Sequence, residues 1–520
     1  MKAVTPQQMQ EIDARAMKKH RVPGIDLMEG AGKAVAQEAM EMLGSRSLGP
    51  TATVCVVCGT GNNGGDGMTA ARHLRAQEHQ VALFLVGSLA KVKGDARTNA
   101  KRLKTSNVKV QEVVSTKGLN LLKKALEQGG LVIDALFGTG FRGAPDRLAA
   151  QVIDMINQSG LPVLAVDIPS GVDGRTGSCG APCVRAEVTV TMGLPKTGLL
   201  FYPGKSLAGR VKVADIGIPQ AAIDESKALI EVLEPLAMKA LLPRRAPDAH
   251  KGSCGTVLVL AGSIGLTGAA ALTANATLRS GAGLVYLGLP ESLNDIMETK
   301  LTEVITKPLP ETRTRTLSVA GFDKIRNLLA KATVLALGPG LSNHPETAEL
   351  VGLVLSQTTV PAVIDADGIN AVAGKPEVLY DIKTSLVLTP HYGEMARLLK
   401  KEIAQVRADP IAAAQEAAAH FCQVVVLKGA PTVIAEPKGG LWINPTGNPG
   451  MATAGVGDVL TGILAGLMAQ GLKPLEAAQL GVYLHGLAGD LAADDKTQYA
   501  LVAGDLVDFI PKAYQQLMEA

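Results

Sequence analysis

Apolar, β-branched runs that empty into glycine-rich turns recur along the whole sequence, and stretches with helical spacing separate them. Runs that are apolar throughout, rather than alternating, suit strands covered on both faces, so the pattern implies parallel sheets with helices packed above and below. In the first half, strands are expected near residues 54–58, 81–86, 131–135, 162–167 and 187–192, with a closing strand at 210–216. Thr5 is placed to cap a helix over 7–20. In the second half, strands are expected near 256–261, 283–289, 333–337, 362–365, 385–389, 424–428 and 432–435. A chain of 520 residues is too long for one ordinary core. Pro235, Pro243, Arg244, Arg245 and Pro247 break the pattern, which puts a boundary between two α/β domains inside 219–250. No internal repeat is found.

Composition excludes several function classes. Hydrophobic residues at 47% and charged ones at 19% describe a packed globular protein rather than a disordered one. A net charge of +3, with no basic run interleaved with aromatics, argues against nucleic acid as a partner. The start, Met1 to Gln7, lacks an apolar signal core, and no apolar run reaches membrane-spanning length. A soluble cytoplasmic protein, with neither nucleic acid nor membrane as partner, is the expectation. Six scattered cysteines do not suggest a disulfide framework. Cys55 and Cys58 have CxxC spacing but fall inside an apolar strand, where they read as core thiols. Cys179 and Cys183 lie in a loop and would need further partners, absent from the sequence around them, to hold a metal.

Residues 444–466 are the most informative stretch of the second half. A Gly/Pro/Asn run gives way abruptly to an apolar helical segment, and Asp458 stands at the junction. Orphan amides and the helix dipole make such a junction an anion site, and Gly455 and Gly457 permit close backbone approach. Asp458 is either a proton acceptor beside a phosphate or a plain helix cap. Lys428, at the end of an apolar strand, can place a cation beside the same phosphates.

In the first half, three strand ends carry unusual residues: Gly59-Thr60-Gly61-Asn62-Asn63-Gly64-Gly65-Asp66-Gly67, then Asp134 to Gly143 with Arg142, then Asp167 to Gly174. In a doubly wound sheet these carboxyl ends share one crevice. Asn63, Asp134 and Ser170 would bring only oxygens and one negative charge to it. That set suits a monovalent cation better than zinc.

The segment from Val22 to Gly32 and these three loops, in this order, resemble NAD(P)H-hydrate epimerase domains. The resemblance implies a Rossmann-like doubly wound domain over residues 1–219. It implies that Asn62, Asn63, Gly64, Gly65, Asp66, Gly138, Thr139, Gly140, Phe141, Arg142, Gly143, Ala144 and Asp167 bind the hydrated nucleotide. Asn63, Asp134 and Ser170 would hold K⁺, and Asp167 is the candidate for proton transfer. Further on, Thr267-Gly268-Ala269-Ala270, Leu337 to Leu341, Asp365-Ala366-Asp367-Gly368, Thr389 to Arg397, Leu427 to Thr432 and the Asp458 segment are similar to ADP-dependent NAD(P)H-hydrate dehydratases. That resemblance implies a ribokinase-like α/β/α domain over 228–518, with Ala269, Gly340, His391 and Asp458 on the hydrated nucleotide. Lys428, Gly429, Ala430, Pro431, Thr432 and Gly457 would contact ADP, which brings Mg²⁺. Charge placement, with Lys428 and Mg²⁺ neutralising the transferring group, makes Asp458 the candidate base. NADHX or NADPHX and ADP are thus the expected ligands, and a homo-oligomer is the expected assembly. Tyr392 and Gly368-Ile369 depart from the family pattern beside these contacts. Two rival readings remain: a ribokinase-like kinase of vitamins or sugars, and a first half that only binds, as in RNA-processing scaffolds.

Overall fold

The computed structural model describes residues 1–47, 51–226, 230–380, 382 and 384–520. It divides into two compact units, one from Lys2 to residue 229 and the other formed by Ile230–Ala520 together with Met1. Residue 228, the expected start of the second domain, lies outside the described residues.

The sheet of the first unit contains β1 (Thr53–Cys58), β2 (Gln80–Val86), β3 (Val110–Val113), β4 (Gly129–Ala135), β5 (Val163–Val166), β6 (Val188–Met192) and β7 (Arg210–Ala214). Their order is β3-β2-β1-β4-β5-β6-β7, and every neighbouring pair is parallel. Chain direction across the sheet reverses between β1 and β4, which opens a crevice at their carboxyl ends. The apolar runs are buried on both faces because side chains alternate. Val54, Val56 and Cys58 pack with Val35, Met68 and Leu74 of the helices Gly24–Ser45 and Asn62–Ala76. Cys55 and Val57 pack the other way, with Leu122, Val152 and Ile153 of Thr116–Glu127 and Arg147–Gln158. Thr5 does cap the first helix, Pro6–Lys18, in a capping box with Gln8. The edge strand β3 carries Gln111 and Glu112, and this half-solvated pattern hid it from an apolar-run reading.

The second unit contains β8 (Ile230–Val232), β9 (Thr256–Leu260), β10 (Leu284–Pro290), β11 (Ile305–Leu309), β12 (Val334–Leu337), β13 (Ala362–Ile364), β14 (Leu386–Leu388), β15 (Val424–Leu427), β16 (Val433–Ala435) and β17 (Leu441–Ile443). Their order is β8-β17-β16-β15-β14-β13-β12-β9-β10-β11. The sheet is not wholly parallel: β16 runs antiparallel to both β15 and β17. Only short loops join these three strands, too short for the crossover that a parallel pair needs. The helices Thr267–Arg279, Val456–Ala469, Pro474–Lys496 and Ala503–Glu519 cover the central strands with an apolar core. Two of them touch backbone to backbone: a Cβ on Gly462 would stand 2.3 Å from the Thr273 carbonyl oxygen, and one on Gly466 2.6 Å from that of Thr277.

Cys55 and Cys58 are buried free thiols in β1. The expectation for Cys179 and Cys183 is corrected, since the two form a disulfide. A turn through Gly180 to Pro182 brings their Cα atoms to 6.1 Å, within bridging range, which their spacing alone did not reveal. Among the described residues no helix is long and apolar enough to cross a membrane.

The helix crossing at Gly462 positions Asp458 one turn away. Gly462→Val should lower the stability of the second unit by about 1–3 kcal/mol through overpacking, read as an earlier unfolding transition of that unit in urea.

Candidate active sites

In the first unit the loops after β1, β4, β5 and β6 surround a cavity of about 840 Å³. The glycines of the first loop are there for close approach. A Cβ on Gly64 would meet the Gly59 carbonyl oxygen at 1.9 Å, and one on Gly59 that of Leu136 at 2.1 Å. Asn62, Asn63, Asp66, Gly138, Thr139, Gly140, Phe141, Arg142 and Asp167 all line the cavity. Gly64, Gly65, Gly143 and Ala144 are not on its wall: Gly65 packs against Met28 and Ala96, while Gly143 and Ala144 lie against Gly180. Phe137 and Phe141 stack at 4.7 Å, and Arg142 donates to the carbonyls of Thr139 and Phe141.

Asn63, Asp134 and Ser170 meet around Leu136 and Phe137. Asn63 Nδ2 donates to Phe137 O (2.8 Å), while Phe137 N donates to Ser170 Oγ (3.0 Å). Ser170 Oγ donates in turn to Asp134 Oδ1 (2.6 Å), and Ser170 N to Oδ2 (2.8 Å). Burial pushes the Asp134 carboxyl up to about 6, against the pull of the Ser170 and Leu136 donors. Among the described residues Asn63 Oδ1 accepts no hydrogen bond, and no cationic side chain stands against the buried Asp134 carboxyl. This all-oxygen donor set fits a monovalent cation.

Asp167 stands at the end of β5 with φ +66°, unusual for a residue other than glycine. Its Oδ1 accepts from Lys196 Nζ (2.5 Å), Thr191 Oγ1 (3.2 Å) and Met192 N (3.2 Å). Lys196 is 1% exposed and also donates to Thr191 Oγ1 and Met192 O. The sequence reading missed this lysine, as it missed Asp13, which reaches the same cavity from the helix Pro6–Lys18.

In the second unit, Lys428 follows β15, and its backbone amide donates to Pro390 O beside His391. Its ammonium pairs with Asp365 and lies 3.9 Å from Glu394. Asp365 also accepts from Thr461 Oγ1 (2.7 Å), which ties the end of β13 to the helix Val456–Ala469. Burial works against the Lys428 charge, yet Asp365, Glu394 and Asp458 hold its pKa above the ordinary value. A Cβ on Gly457 would lie 3.3 Å from Lys428 Nζ, so the cation sits beside the first turn of that helix. Asp458 is not the helix cap. Gly455 takes that position at φ +90°, and Asp458 is the third residue inside. Burial, then Asp365, pushes the Asp458 carboxyl up to about 7, with Lys428 pulling the other way.

His391 is a cap: its Nδ1 accepts from Gly393 N (2.9 Å) and Glu394 N (3.2 Å), and Glu394 closes the box on His391 N. Burial and the Lys428 charge lower its pKa. Ala269 and Gly340 are neighbours, since a Cβ on Gly340 would lie 3.1 Å from that of Ala269. Gly429 packs against the Tyr392 ring, and Thr432 Oγ1 donates to Gly429 O across the Ala430-Pro431 turn. Asp365, Glu394 and Thr461 escaped the site reading because only the fold makes them Lys428's neighbours.

Acids, a buried lysine and glycine turns at the carboxyl edge of each sheet define a two-site enzyme of the nucleotide-handling kind. Residues 24–198 match the family model for the YjeF-related protein N-terminus, and 257–512 that for NAD(P)H-hydrate dehydratase. Over its whole length the chain is similar to the bifunctional NAD(P)H-hydrate repair enzyme Nnr of Moorella thermoacetica, 46% identical across 100% of this chain and 98% of that one. The corresponding enzyme of Thermofilum pendens is 40% identical across 100% and 97%. The chain belongs to the family of bifunctional NAD(P)H-hydrate repair enzymes. Among solved structures, an ADP/ATP-dependent NAD(P)H-hydrate dehydratase from Bacillus subtilis, co-crystallised with ATP and Mg²⁺, is 32% identical over 55% of this chain and 99% of that one, with a TM-score of 0.49.

Asp365→Ala strips the buried Lys428 ammonium of its main partner. It should destabilise the second unit by about 3 kcal/mol, the low end for a broken buried pair because Lys428 keeps some contact with water. Thermal unfolding of the variant beside the wild type reads this directly.

Proposed function

We propose that the first unit interconverts the R and S forms of hydrated NADH or NADPH, and that the second converts the S form back to the reduced cofactor using ADP. The observation that carries this reading is Asp458, an aspartate with its pKa raised to about 7 beside Lys428 and the start of a helix. Asp458 accepts the proton of the ring hydroxyl as that oxygen attacks the terminal phosphate of ADP. Lys428 and the first-turn amides of Val456–Ala469 offset the charge on the transferring group. AMP leaves first. The phosphorylated hydroxyl is then a good leaving group: the ring nitrogen's lone pair expels phosphate, and loss of a proton from the neighbouring ring carbon to solvent restores the dihydronicotinamide, so no phosphorylated product accumulates.

Among the described residues no group of three or more acids, histidines or cysteines could cage a metal. Mg²⁺ would arrive on the nucleotide's phosphates, beside Lys428 and the first turn of Val456–Ala469. When bound, Mg²⁺ supplies charge neutralisation at the phosphates. Asn63, Asp134 and Ser170 would hold K⁺ in the first unit. Asn62, Asp66, the Gly138–Arg142 loop and Asp167 then face the nucleotide, while Ala269, Gly340 and His391 face it in the second. Gly429 to Thr432 and Gly457 would contact ADP. A cytoplasmic homo-oligomer acting on NADHX or NADPHX is the setting this reading assumes.

The test offers an R and S mixture with ADP, with ATP, or with neither, and follows reduced-nicotinamide absorbance. Full recovery with ADP is expected. Recovery of only the S fraction would remove the epimerase half, and a stable phosphorylated product would point to a kinase. Asp458→Asn should cut the ADP-dependent rate by about 10²- to 10⁴-fold while R-to-S interconversion continues.

A base is active only when deprotonated. The kcat/KM of dehydration should therefore fall as pH drops through about 7, the value to which burial raises Asp458. A rate profile from pH 5.5 to 8.5, run alongside one for Asp458→Glu, checks this; a flat profile would remove Asp458 from the role.

A further inference from the structure

The cavity of the first unit is ringed by six ionisable side chains, Asp13, Asp66, Asp95, Arg142, Asp167 and Lys196. The two that the β5 and β6 ends contribute are already committed. Lys196 spends its donors on Asp167, Thr191 and Met192, and Asp167 Oδ1 takes three donors at once. Such a network fixes Asp167 in place, with three donors on one of its oxygens. Asp13 differs. It sits on the helix Pro6–Lys18 between Met9 and Met17, one turn either way, and all three face the cavity. Its Oδ1 is enclosed and has no hydrogen-bond partner among the described residues. A buried polar oxygen left unpartnered requires an explanation, and a ligand that completes it is the simplest one.

We propose that Asp13 is a catalytic residue of the first unit, the acid that protonates the hydroxyl of the hydrated nicotinamide ring. The inference rests on the epimerase reading above. In the hydrate, the hydroxyl-bearing carbon is bonded to the ring nitrogen. Proton transfer from Asp13 lets the C–O bond break, its electron pair leaving with water while the nitrogen lone pair forms a C=N⁺ bond. Water then adds to the opposite face of that planar carbon, the C=N pair returns to nitrogen, and the proton released restores Asp13. No oxidant or reductant is needed, and no proton is consumed. Asp167, oriented by Lys196, holds negative charge near the transient cation.

Burial pushes the Asp13 carboxyl up to about 6, with Asp167 acting in the same direction and Lys196 against it. Asp66, also raised by burial and by Asp167 and Asp13, faces the same space. An acid with such a value is part-protonated near neutrality and can both give and take a proton.

The experiment uses the full-length protein and a purified R hydrate of NADPH without ADP, with the S form resolved by chromatography. Asp13→Asn should lower kcat by about 10²- to 10⁴-fold with KM changed less than about threefold, and should bind NADPH as the wild type does. Asp13→Glu, which keeps a carboxyl, should recover at least about tenfold of that loss. The wild-type kcat/KM should fall as pH rises through about 6, and Asp13→Asn should lack this limb. If Asp13→Asn fails to fold, the Asp13→Glu profile decides: a limb unmoved from the wild type's overturns the proposal. A wild type that interconverts the forms while Asp13→Asn matches its rate overturns the Asp13 role alone. A wild type that shows no interconversion overturns the epimerase reading and the proposal with it.

Discussion

In each unit a lysine is largely withdrawn from water at the carboxyl edge of the parallel strands and paired with one aspartate: Lys196 with Asp167, Lys428 with Asp365. Removing an ammonium from water is costly, and the cost is offset only where the remaining donors and acceptors are satisfied. Lys196 meets this condition through Thr191 and Met192; in the other unit Thr461 satisfies the second oxygen of Asp365, and Lys428 keeps some contact with water. Each lysine is also outnumbered by acids. Asp13 and Asp66 share the field of Lys196, and Glu394 and Asp458 that of Lys428. The carboxyl left without a full partner is the one whose proton affinity climbs into the range useful at neutral pH. In both units, then, pairing one aspartate leaves another carboxyl with a raised proton affinity.

The sheets explain why these groups meet at all. Parallel strands deliver all their carboxyl ends to one edge, so residues far apart in the chain converge there without any local sequence rule. Asp365 and Thr461 stand 96 residues apart and still share a 2.7 Å hydrogen bond. Asp134 and Ser170 do the same across 36 residues. The glycine turns set the spacing of that edge. Gly59 and Gly64 admit contacts that a single methyl group would forbid, and this closes the first loop tightly enough for Asn63 to reach Phe137.

What could be read from the sequence follows from this geometry. Strands buried on both faces and turns with fixed glycine chemistry were legible, because their signals are local: β1 and β4 appear where their apolar runs lie, and Asp134, Asp167, Lys428 and Asp458 stand at element junctions as expected. Edges were harder. β3 and β11 mix charged or proline residues into short strands, and β17 is only a few residues long, so periodicity had little to work with. The pairing of the lysines was not legible: Asp167 and the motifs that hold Asp365 and Glu394 stand out in the sequence, but nothing near Lys196 or Lys428 announces which acid each would meet. Asp13 was hidden differently. It looks like one acid among many on an amphipathic helix, and only the cavity shows that its methionine neighbours at helical spacing form a wall.

Asp458 is not the helix cap, one of the two roles that the sequence left open for it. An aspartate at the cap would have its oxygens occupied by first-turn amides, the very groups a phosphate needs. Gly455 assumes the cap position at φ +90°, where a side chain would be strained, and so leaves those amides bare. Asp458, three residues on, then has the dipole and Lys428 close by without being bonded to either. In the proposed dehydration a base so placed faces opposing demands. The cation that attracts phosphate would also suppress its basicity if the two were paired. Tying Lys428 to Asp365 separates the tasks: the ammonium keeps its positive field for the phosphates, while burial keeps the Asp458 carboxylate basic enough to take a proton.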